Sequence, residues 1–244
     1  MANEEPGGSR WIDVAPERLA GWLESFAQRH GEVSADPGPG RAAATETVTF
    51  RAADGTVAQC HVPFPPLPAA HASAGRPAEA SPGRAAADAW AEYARQIAEH
   101  AGAERTVAVF LVRLGGYAAG IFTGPAPRLA ASKVGARLVH GRSAAGGTSQ
   151  HRFARRREKQ AAEALGAAAG TAVAVFGPYA GRIDAVVLGG DRRAMATLRA
   201  DSRLAPYFGL AVERFLTVPD PRLTVLRGTP RLFRAIRIRL TDPS

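Results

Sequence analysis

The chain has 244 residues, of which 46% are hydrophobic and 22% are charged, so it can bury the core of one sizeable domain with a smaller unit attached. Its net charge of +9 comes almost entirely from arginine, which favours a polyanionic partner. A single cysteine, Cys60, excludes an intrachain disulfide and a cysteine-based zinc site. The six histidines do not fall at metal-ligand spacing, so we expect neither a metal nor a cofactor.

The first ten residues contain no apolar segment of the kind that directs secretion. No stretch of the chain approaches the roughly 18 consecutive apolar residues of a membrane-spanning helix. We therefore expect a cytoplasmic protein that has no membrane partner.

The N-terminal residues predict a small unit, 1–64, that combines a helix with a β-hairpin. Apolar residues recur at helical spacing over Trp11–His30, and Gly31 is placed to end that helix. Thr45–Arg51 and Thr56–Pro63 alternate in period two around Asp54-Gly55, which is a hairpin signal. A linker, 65–84, follows, since Pro, Ala, Ser and Gly dominate it.

The remaining residues, 85–244, predict a mixed α/β domain, because three antiparallel strands are followed by alternating helices and strands. The C-terminal run Arg234–Leu240 alternates Ile with Arg, which favours an edge strand with a basic outer face. The other predicted strands are Arg105–Leu114, Tyr117–Thr123, Lys133–His140, Asp184–Leu188 and Glu213–Val218. The predicted helices are Ala85–Ala101, Ser149–Ala168 and Arg192–Asp201.

Smaller features in these elements have structural interpretations. Gly189-Gly190 follows a predicted strand, but a lone Gly-Gly is weak evidence for a nucleotide site, and Asp191 is best interpreted as a helix N-cap. Trp11, Trp22 and Trp90 each lie on an apolar helical face, which favours core packing over base stacking.

Basic residues concentrate in two stretches. The first, 128–160, contains one acid, Glu158, and the second, 222–239, contains no acid and six arginines. Clustering of this kind is typical of nucleic-acid contact. For the C-terminal arginines, a solvated strand edge is an equally good explanation. The nine cations of the first stretch are Arg128, Lys133, Arg137, Arg142, Arg152, Arg155, Arg156, Arg157 and Lys159.

The segment Gly141–Gln150 is a loop of small residues that leads into a helix. Small residues let the backbone approach a ligand closely and direct its N–H groups at an anion. The helix that follows adds its free N–H groups and the positive end of its dipole. Thr148 or Ser149 is a natural N-cap. The glycines alone favour an ordinary flexible strand-to-helix connection.

The start of that helix carries charges of the unfavourable sign. Arg152, Arg155 to Arg157 and Lys159 oppose the helix dipole, each at a cost of about 0.3–1 kcal/mol in the first turn, and they repel one another. A sequence selected only for folding would place acids there. The arrangement therefore indicates a phosphate-binding surface.

Familiar catalytic motifs are absent around the loop. Gly141–Ala145 lacks the second glycine of a nucleophile elbow, and no Walker loop is present. One acid, Glu158, lies between Glu104 and Glu163, which argues against a two-metal nuclease. What remains is a glutamine beside glycines, backbone amides and arginines, a set that can orient water and stabilise an oxyanion. His140 and His151 flank the loop and could shuttle a proton or hydrogen-bond RNA.

These residues resemble a known family. The run from Lys133-Val134-Gly135 through Gly141–Gln150 to Glu158 is similar to the Vms-like release factors, in their actinobacterial and chloroflexi branch. That family is related to the central domain of eukaryotic and archaeal class I release factors. The resemblance covers about 30 residues and draws little on residues 1–84. Thr148 and Ser149 intervene between the glycines and the glutamine, as in the Vms-like pattern and unlike the Gly-Gly-Gln of release factors.

The resemblance implies an RNase H-like α/β domain and the cleavage of peptidyl-tRNA on stalled ribosomes. The implied partners are the large ribosomal subunit at its peptidyl-transferase centre, its rRNA and peptidyl-tRNA. The implied catalytic residues are Gln150, Gly146, Gly147 and Ser149. Cleavage within the 3′ end of the tRNA is also compatible with the family. The candidate RNA-binding residues are Lys133, Arg142, Arg152, Arg155, Arg156, Arg157 and Lys159.

A different class of function remains open on the residues alone. The same basic loop and helix suit a ribosome- or RNA-binding factor that has no chemistry of its own. The two hypotheses differ in the importance of Gln150, which matters for hydrolysis and not for binding.

Overall fold

The computed structural model describes residues 4–5, 9–36, 46–68, 82–113, 116–136 and 149–243, and for residues 4–5, 82–89 and 149–157 it describes only the backbone. The chain divides into two compact units, one formed by 1–103 with 234–244 and the other by 104–233. Each unit contains a sheet with helices packed against it, so the predicted mixed α/β class is confirmed.

Strands and helices are numbered along the described parts of the chain. The strands are β1 (Glu4–Glu5), β2 (Ser9–Val14), β3 (Val33–Asp36), β4 (Thr47–Ala52), β5 (Val57–His61), β6 (Val107–Arg113), β7 (Gly116–Thr123), β8 (Arg128–Ala136), β9 (Ala185–Gly190), β10 (Ala211–Leu216) and β11 (Ile236–Thr241). The helices are α1 (Leu19–His30), α2 (Pro82–Gly102), α3 (Ser149–Phe176), α4 (Arg192–Leu198), α5 (Ala205–Phe208), α6 (Leu223–Arg227) and α7 (Pro230–Phe233).

The first unit is built on a six-stranded antiparallel sheet in the order β1-β2-β11-β5-β4-β3. The predicted hairpin is confirmed as β4 and β5. Its turn holds Gly55 at φ 90, a left-handed conformation that suits glycine. The carboxylate of Asp54 accepts the Thr56 N–H at 2.9 Å and contacts the His30 ring at 2.8 Å. Both contacts lower the pKa of Asp54, the Thr56 N–H most strongly.

The core of this unit lies between one face of the sheet and two helices. Leu23 and Phe26 of α1 and Ile97 of α2 are fully buried against Phe50 and Ile238 of the sheet. Cys60 belongs to the same cluster. Its burial raises the pKa of the thiol, so the sulfur remains protonated and unreactive.

Three sequence predictions for this unit are wrong. Trp11–Val14 is part of the strand β2, so the first helix begins at Leu19. The C-terminal strand β11 is not an edge strand, because it pairs with β2 on one side and β5 on the other. It therefore lies with the N-terminal residues, as does α2, although the sequence assigned both to 85–244. Periodicity reports the conformation of a strand but contains no information about its partner.

The second unit is built on a five-stranded mixed sheet in the order β10-β9-β6-β7-β8. β6, β7 and β8 are antiparallel neighbours, whereas β9 is parallel to β6 and β10 is parallel to β9. β6 is buried over Val107–Val112, as its continuous apolar sequence predicted. The predicted third strand occurs as β8, which begins at Arg128 instead of Lys133, and residues 137–140 of the prediction lie outside the described residues.

Close contacts at the end of β9 explain Gly189-Gly190 in steric terms. Gly190 has φ 101, and a Cβ there would lie 2.8 Å from the Val112 carbonyl carbon. A Cβ on Gly189 would lie 2.7 Å from the Leu216 carbonyl oxygen. Asp191 caps α4, as predicted, by accepting the N–H groups of Arg193 and Ala194. The two glycines therefore let β6, β9 and β10 approach closely.

The long helix α3 is anchored by its C-terminal half. Ala168, Ala169, Ala172, Val175 and Phe176 belong to the core cluster of the second unit. By length and composition alone, Glu158–Arg182 is also apolar enough to cross a membrane, contrary to the expectation from sequence. A helix whose apolar residues line the core of a soluble domain passes the same test.

A substitution at Gly190 tests the steric explanation. We expect Gly190→Ala to destabilise the protein by about 3 kcal/mol, because it combines an unfavourable φ with a clash against Val112. The matched control is Gly166→Ala in α3, since a Cβ added at Gly166 would have nothing within 4 Å, and alanine there should stabilise by up to about 1 kcal/mol. Urea unfolding followed by circular dichroism measures both. A Gly190→Ala protein that unfolds at the wild-type urea concentration would contradict the explanation.

Candidate RNA-contacting loop and helix

Before the candidate loop, the chain leaves the five-stranded sheet at the end where its parallel strands have their carboxyl termini. β8 ends at Ala136, which pairs with Gly116, and Gly116 in turn pairs with Arg113 at the end of β6. The chain that leads to the loop therefore leaves the sheet at the carboxyl end of β6. β9 ends at this same edge, where the Asp191 N–H donates to the Val112 carbonyl at 2.7 Å. In open α/β sheets, ligands bind beyond the carboxyl ends of the parallel strands.

The helix that follows the loop is long, and its described side chains become fully buried only in its C-terminal half. α3 begins at Ser149, and among its residues 158–176, whose burial is described, the first fully buried side chain is that of Ala168. The intervening helix is about 28 Å long, since an α-helix rises about 1.5 Å per residue. Lys159 and Glu163 in this stretch are exposed. We call residues 149–167 the N-terminal arm of α3.

The N-terminal arm begins with two of the predicted catalytic residues. Ser149 and Gln150 form the first turn of α3, where backbone N–H groups lack partners within the helix and the dipole is positive. An anion or a developing oxyanion is favoured at such a position. Gly146, Gly147 and Arg142 lie outside the described residues, as does His140. Four predicted cations, Arg152, Arg155, Arg156 and Arg157, and the flanking His151 lie in the arm with only their backbone described.

Lys133 is the predicted cation on the other side of the loop. It is exposed on β8, the edge strand of the sheet, and it pairs in register with Ala119 of β7. Lys159 is exposed on the arm. The structure thus describes Lys133 before the loop and Lys159 after it.

The sequence did not reveal the role of Tyr117. It pairs in register with Gly135, and a Cβ on Gly135 would lie 2.6 Å from Cε2 of the Tyr117 ring. Tyr117 also packs against the core cluster of this unit. Glycine at 135 therefore makes room for an aromatic ring beside the start of the loop, which gives the Lys133-Val134-Gly135 motif a steric reason. A glycine inside a β-strand was the available signal.

The sequence analysis also did not identify Arg113, the last residue of β6, as part of this end of the sheet. Its guanidinium donates to the Val218 carbonyl at 3.0 Å and lies 3.4 Å from the Asp220 carboxylate. These contacts tie the end of β6 to the segment after β10. Among the described residues, no group of three or more His, Cys, Asp or Glu side chains is arranged to hold a metal ion.

Two solved structures are similar to this chain at low identity. One is described as the Vms1 mitochondrial localization core, at 12% identity and a TM-score of 0.32, with 78% of this chain and 75% of that chain covered. The other is the archaeal translation termination factor aRF1, at 10% identity and a TM-score of 0.38, with 96% of this chain and 68% of that chain covered. No curated protein sequence matches the chain.

A protein-family model matches residues 105–239, which is more than half of the chain. The matched segment contains the five-stranded sheet, the candidate loop, α3 and the first residues of β11. The family is described as the Actinobacteria/chloroflexi VLRF1 release factor. Such a family has its role at the ribosome, and the Vms-like resemblance of the loop and helix is confirmed. This chain belongs to the Actinobacteria/chloroflexi VLRF1 release factor family.

Proposed function

We propose that this chain is a cytoplasmic peptidyl-tRNA hydrolase that releases nascent peptides from stalled ribosomes. The observation that carries the proposal is the position of Gln150, in the first turn of a helix that continues for about 28 Å before Ala168, the first fully buried side chain among those described. Membership of a release-factor family supports a site of action on the ribosome. An arm of this kind suits a target recessed within a larger particle, such as the peptidyl-transferase centre.

The positive charge of the N-terminal arm supports RNA as its binding partner. Residues 149–160 contain five Lys or Arg and one acid, Glu158. Cations in this position oppose the helix dipole, so their favourable interactions must come from outside the helix. Phosphates of rRNA and of the tRNA satisfy them and release counterions. Arg142 and Lys133 on the other side of the loop extend the same contact.

The proposed reaction is hydrolysis of the ester that joins the nascent peptide to the terminal ribose of the tRNA. The Gln150 side-chain amide orients a water molecule, whose oxygen attacks the ester carbonyl carbon. Backbone N–H groups at the start of α3, including that of Ser149, stabilise the oxyanion that forms. The bond to the ribose oxygen then breaks, and that oxygen leaves with a proton from the water. Gly146 and Gly147 allow the loop backbone to approach the ester closely.

We also propose that residues 104–233 form the RNase H-like domain that the resemblance implies. The first three strands, β6, β7 and β8, form an antiparallel row. The next two, β9 and β10, follow on the other side of β6 and run parallel to it. This order supports the assignment.

Replacing Gln150 separates catalysis from binding. We expect Gln150→Ala to lower the rate of peptide release by about 100-fold or more, the usual effect of removing one oriented hydrogen-bonding group from a hydrolytic site. Ribosome binding should be unchanged, since the cations remain. The assay uses stalled ribosome–nascent-chain complexes, with the released tRNA sized to show which bond was broken.

The matched control for that experiment is Gln160→Ala. Gln160 lies on the same helix and is partly exposed, so its loss should leave release unchanged. If wild-type protein binds these complexes but releases no peptide, the chain is a non-catalytic factor and the proposal is wrong. If release survives Gln150→Ala, another group positions the water.

Replacing Arg155, Arg156 and Arg157 with Gln tests the phosphate contacts. We expect weaker ribosome binding and a log–log salt slope that is lower by about 2 to 3, because each lost phosphate contact removes about 0.7–0.9 from it. The control is Arg95→Gln, because Arg95 already pairs with Glu92 and Glu99 on α2. An unchanged slope in the triple variant would show that these arginines do not contact phosphates.

A further inference from the structure

The sheet of the first unit has one face that its helices do not cover. Side chains alternate between the faces, and the core cluster takes Ile12 of β2, Ile236, Ile238 and Leu240 of β11, and Cys60 of β5. The intervening residues of these three strands therefore lie on the opposite face, which we call the open face. Among the described residues of this unit, α1 and α2 pack on the core side. The open-face residues are Ser9, Trp11 and Asp13 of β2, Arg237, Arg239 and Thr241 of β11, and Val57, Gln59 and His61 of β5.

Three flat side chains meet in the middle of the open face. The guanidinium carbon of Arg237 lies 4.2 Å from the centroid of the Trp11 ring. The His61 ring centroid is 5.1 Å from that of Trp11, at an interplanar angle of 54°. Arg237 and His61 are exposed, and Trp11 is partly exposed. We call these residues the Trp11 cluster.

The Trp11 cluster is not part of the hydrophobic core. Trp11 is absent from the buried residues of this unit, whereas Trp22 and Trp90 pack against them, as predicted. Cross-strand aromatic and charged pairs stabilise a strand pair, and the exposed parts of the Trp11 cluster are in addition accessible to a ligand. Aromatic rings and guanidinium planes together form the surface on which unpaired nucleobases stack.

The charge around the cluster favours a polyanion. Arg239 lies in register beside Trp11 and donates to the Ser9 hydroxyl at 3.4 Å, and Arg51 extends the row on β4. Asp13, which pairs in register with Arg237, is the carboxylate among the open-face residues of β2, β11 and β5, and Glu5 on β1 and Asp36 on β3 lie on the two edge strands of the sheet. On the three strands around Trp11, two arginines and a histidine thus accompany one carboxylate.

We propose that the open face binds single-stranded RNA, with a base stacked on the Trp11 cluster and Arg237, Arg239 and Arg51 near its phosphates. The proposal does not rest on peptidyl-tRNA hydrolysis, because its residues lie outside the loop and the N-terminal arm. Stacking accepts any base, so recognition depends on unpaired structure and not on sequence.

The test uses the full chain with Trp11 as the only tryptophan, in a Trp22→Phe, Trp90→Phe variant. A ten-nucleotide oligouridylate is the probe. We expect RNA to quench the Trp11 emission, and an A-form duplex of equal length to quench it much less. In an anisotropy titration with labelled oligouridylate, Trp11→Ala should weaken binding by about 10-fold, within the range measured for loss of one stacking platform.

Two further variants distinguish the loss of base stacking from misfolding and from the loss of a charge. Trp11→Phe keeps an aromatic ring and should retain binding within about threefold of the parent. Arg237→Lys keeps the charge but loses the guanidinium plane, so it should weaken binding without changing the salt slope. Gln150→Ala should leave all of these measurements unchanged, so failure of the proposed catalytic function is distinguishable from failure of this proposal.

Three results would overturn the proposal. The first is an oligouridylate affinity of a folded Trp11→Ala protein equal to that of the parent. The second is equal quenching by single-stranded and duplex RNA, which would exclude stacking. The third is quenching by ribosomal proteins freed of rRNA and not by oligouridylate, which would make the open face a protein interface.

Discussion

Packing of the C-terminal half of α3 against its sheet is the contact on which the candidate site depends. Ala168, Ala169 and Ala172 are fully buried, and their small side chains let the helix approach the sheet closely. Phe176 then meets Phe110 of β6 edge to face, at 6.2 Å between ring centroids, and Tyr207 at 5.2 Å. A buried phenylalanine contributes about 1.5–3 kcal/mol. This end of the helix is therefore held firmly, and it determines the direction of the other end.

The anchored half explains how the charged half can exist. Cations near a helix N-terminus destabilise it by about 0.3–1 kcal/mol each in the first turn, and neighbouring cations add further repulsion. A short helix with that sequence would be marginal alone. In α3 the arginines closely follow Gln150, while the described contacts with the core cluster are made by Leu165 and by residues from Ala168 onwards. The contacts that stabilise α3 and the proposed RNA contacts thus lie at different ends of one continuous helix.

The sequence predicted well those elements whose signal is local. β6 has an uninterrupted apolar run, β4 and β5 alternate around Asp54-Gly55, and Asp191 caps α4, and each is found where expected within a few residues. The failures concern partners distant in sequence. β11 pairs with β2, more than 220 residues away, and no periodicity reports such a pairing. Trp11 was assigned to a helix because the apolar residues of the six-residue strand β2 continue the helical spacing of α1 across the segment between the two elements.

The sequence could predict those candidate site residues whose position follows from the local composition and from their order along the chain. Ser149 and Gln150 lie at the start of a helix, as the N-cap and glycine signals indicated. By contrast, Tyr117 beside Gly135 depends on which strands are neighbours, so sequence spacing could not reveal it. Gly146, Gly147 and Arg142 fall outside the described residues and stay predictions.

The two proposed RNA contacts differ in their physical origin. The arm of α3 presents point charges along a helix, which interact with phosphates whatever the structure of the bases, and this interaction weakens steeply with salt. The Trp11 cluster presents rings and one guanidinium plane on a sheet, and stacking of a base on them depends much less on salt but requires that the base be unpaired. On these two proposals, the charge of the arm contributes affinity for any phosphate backbone, whereas the Trp11 cluster distinguishes unpaired RNA from paired RNA.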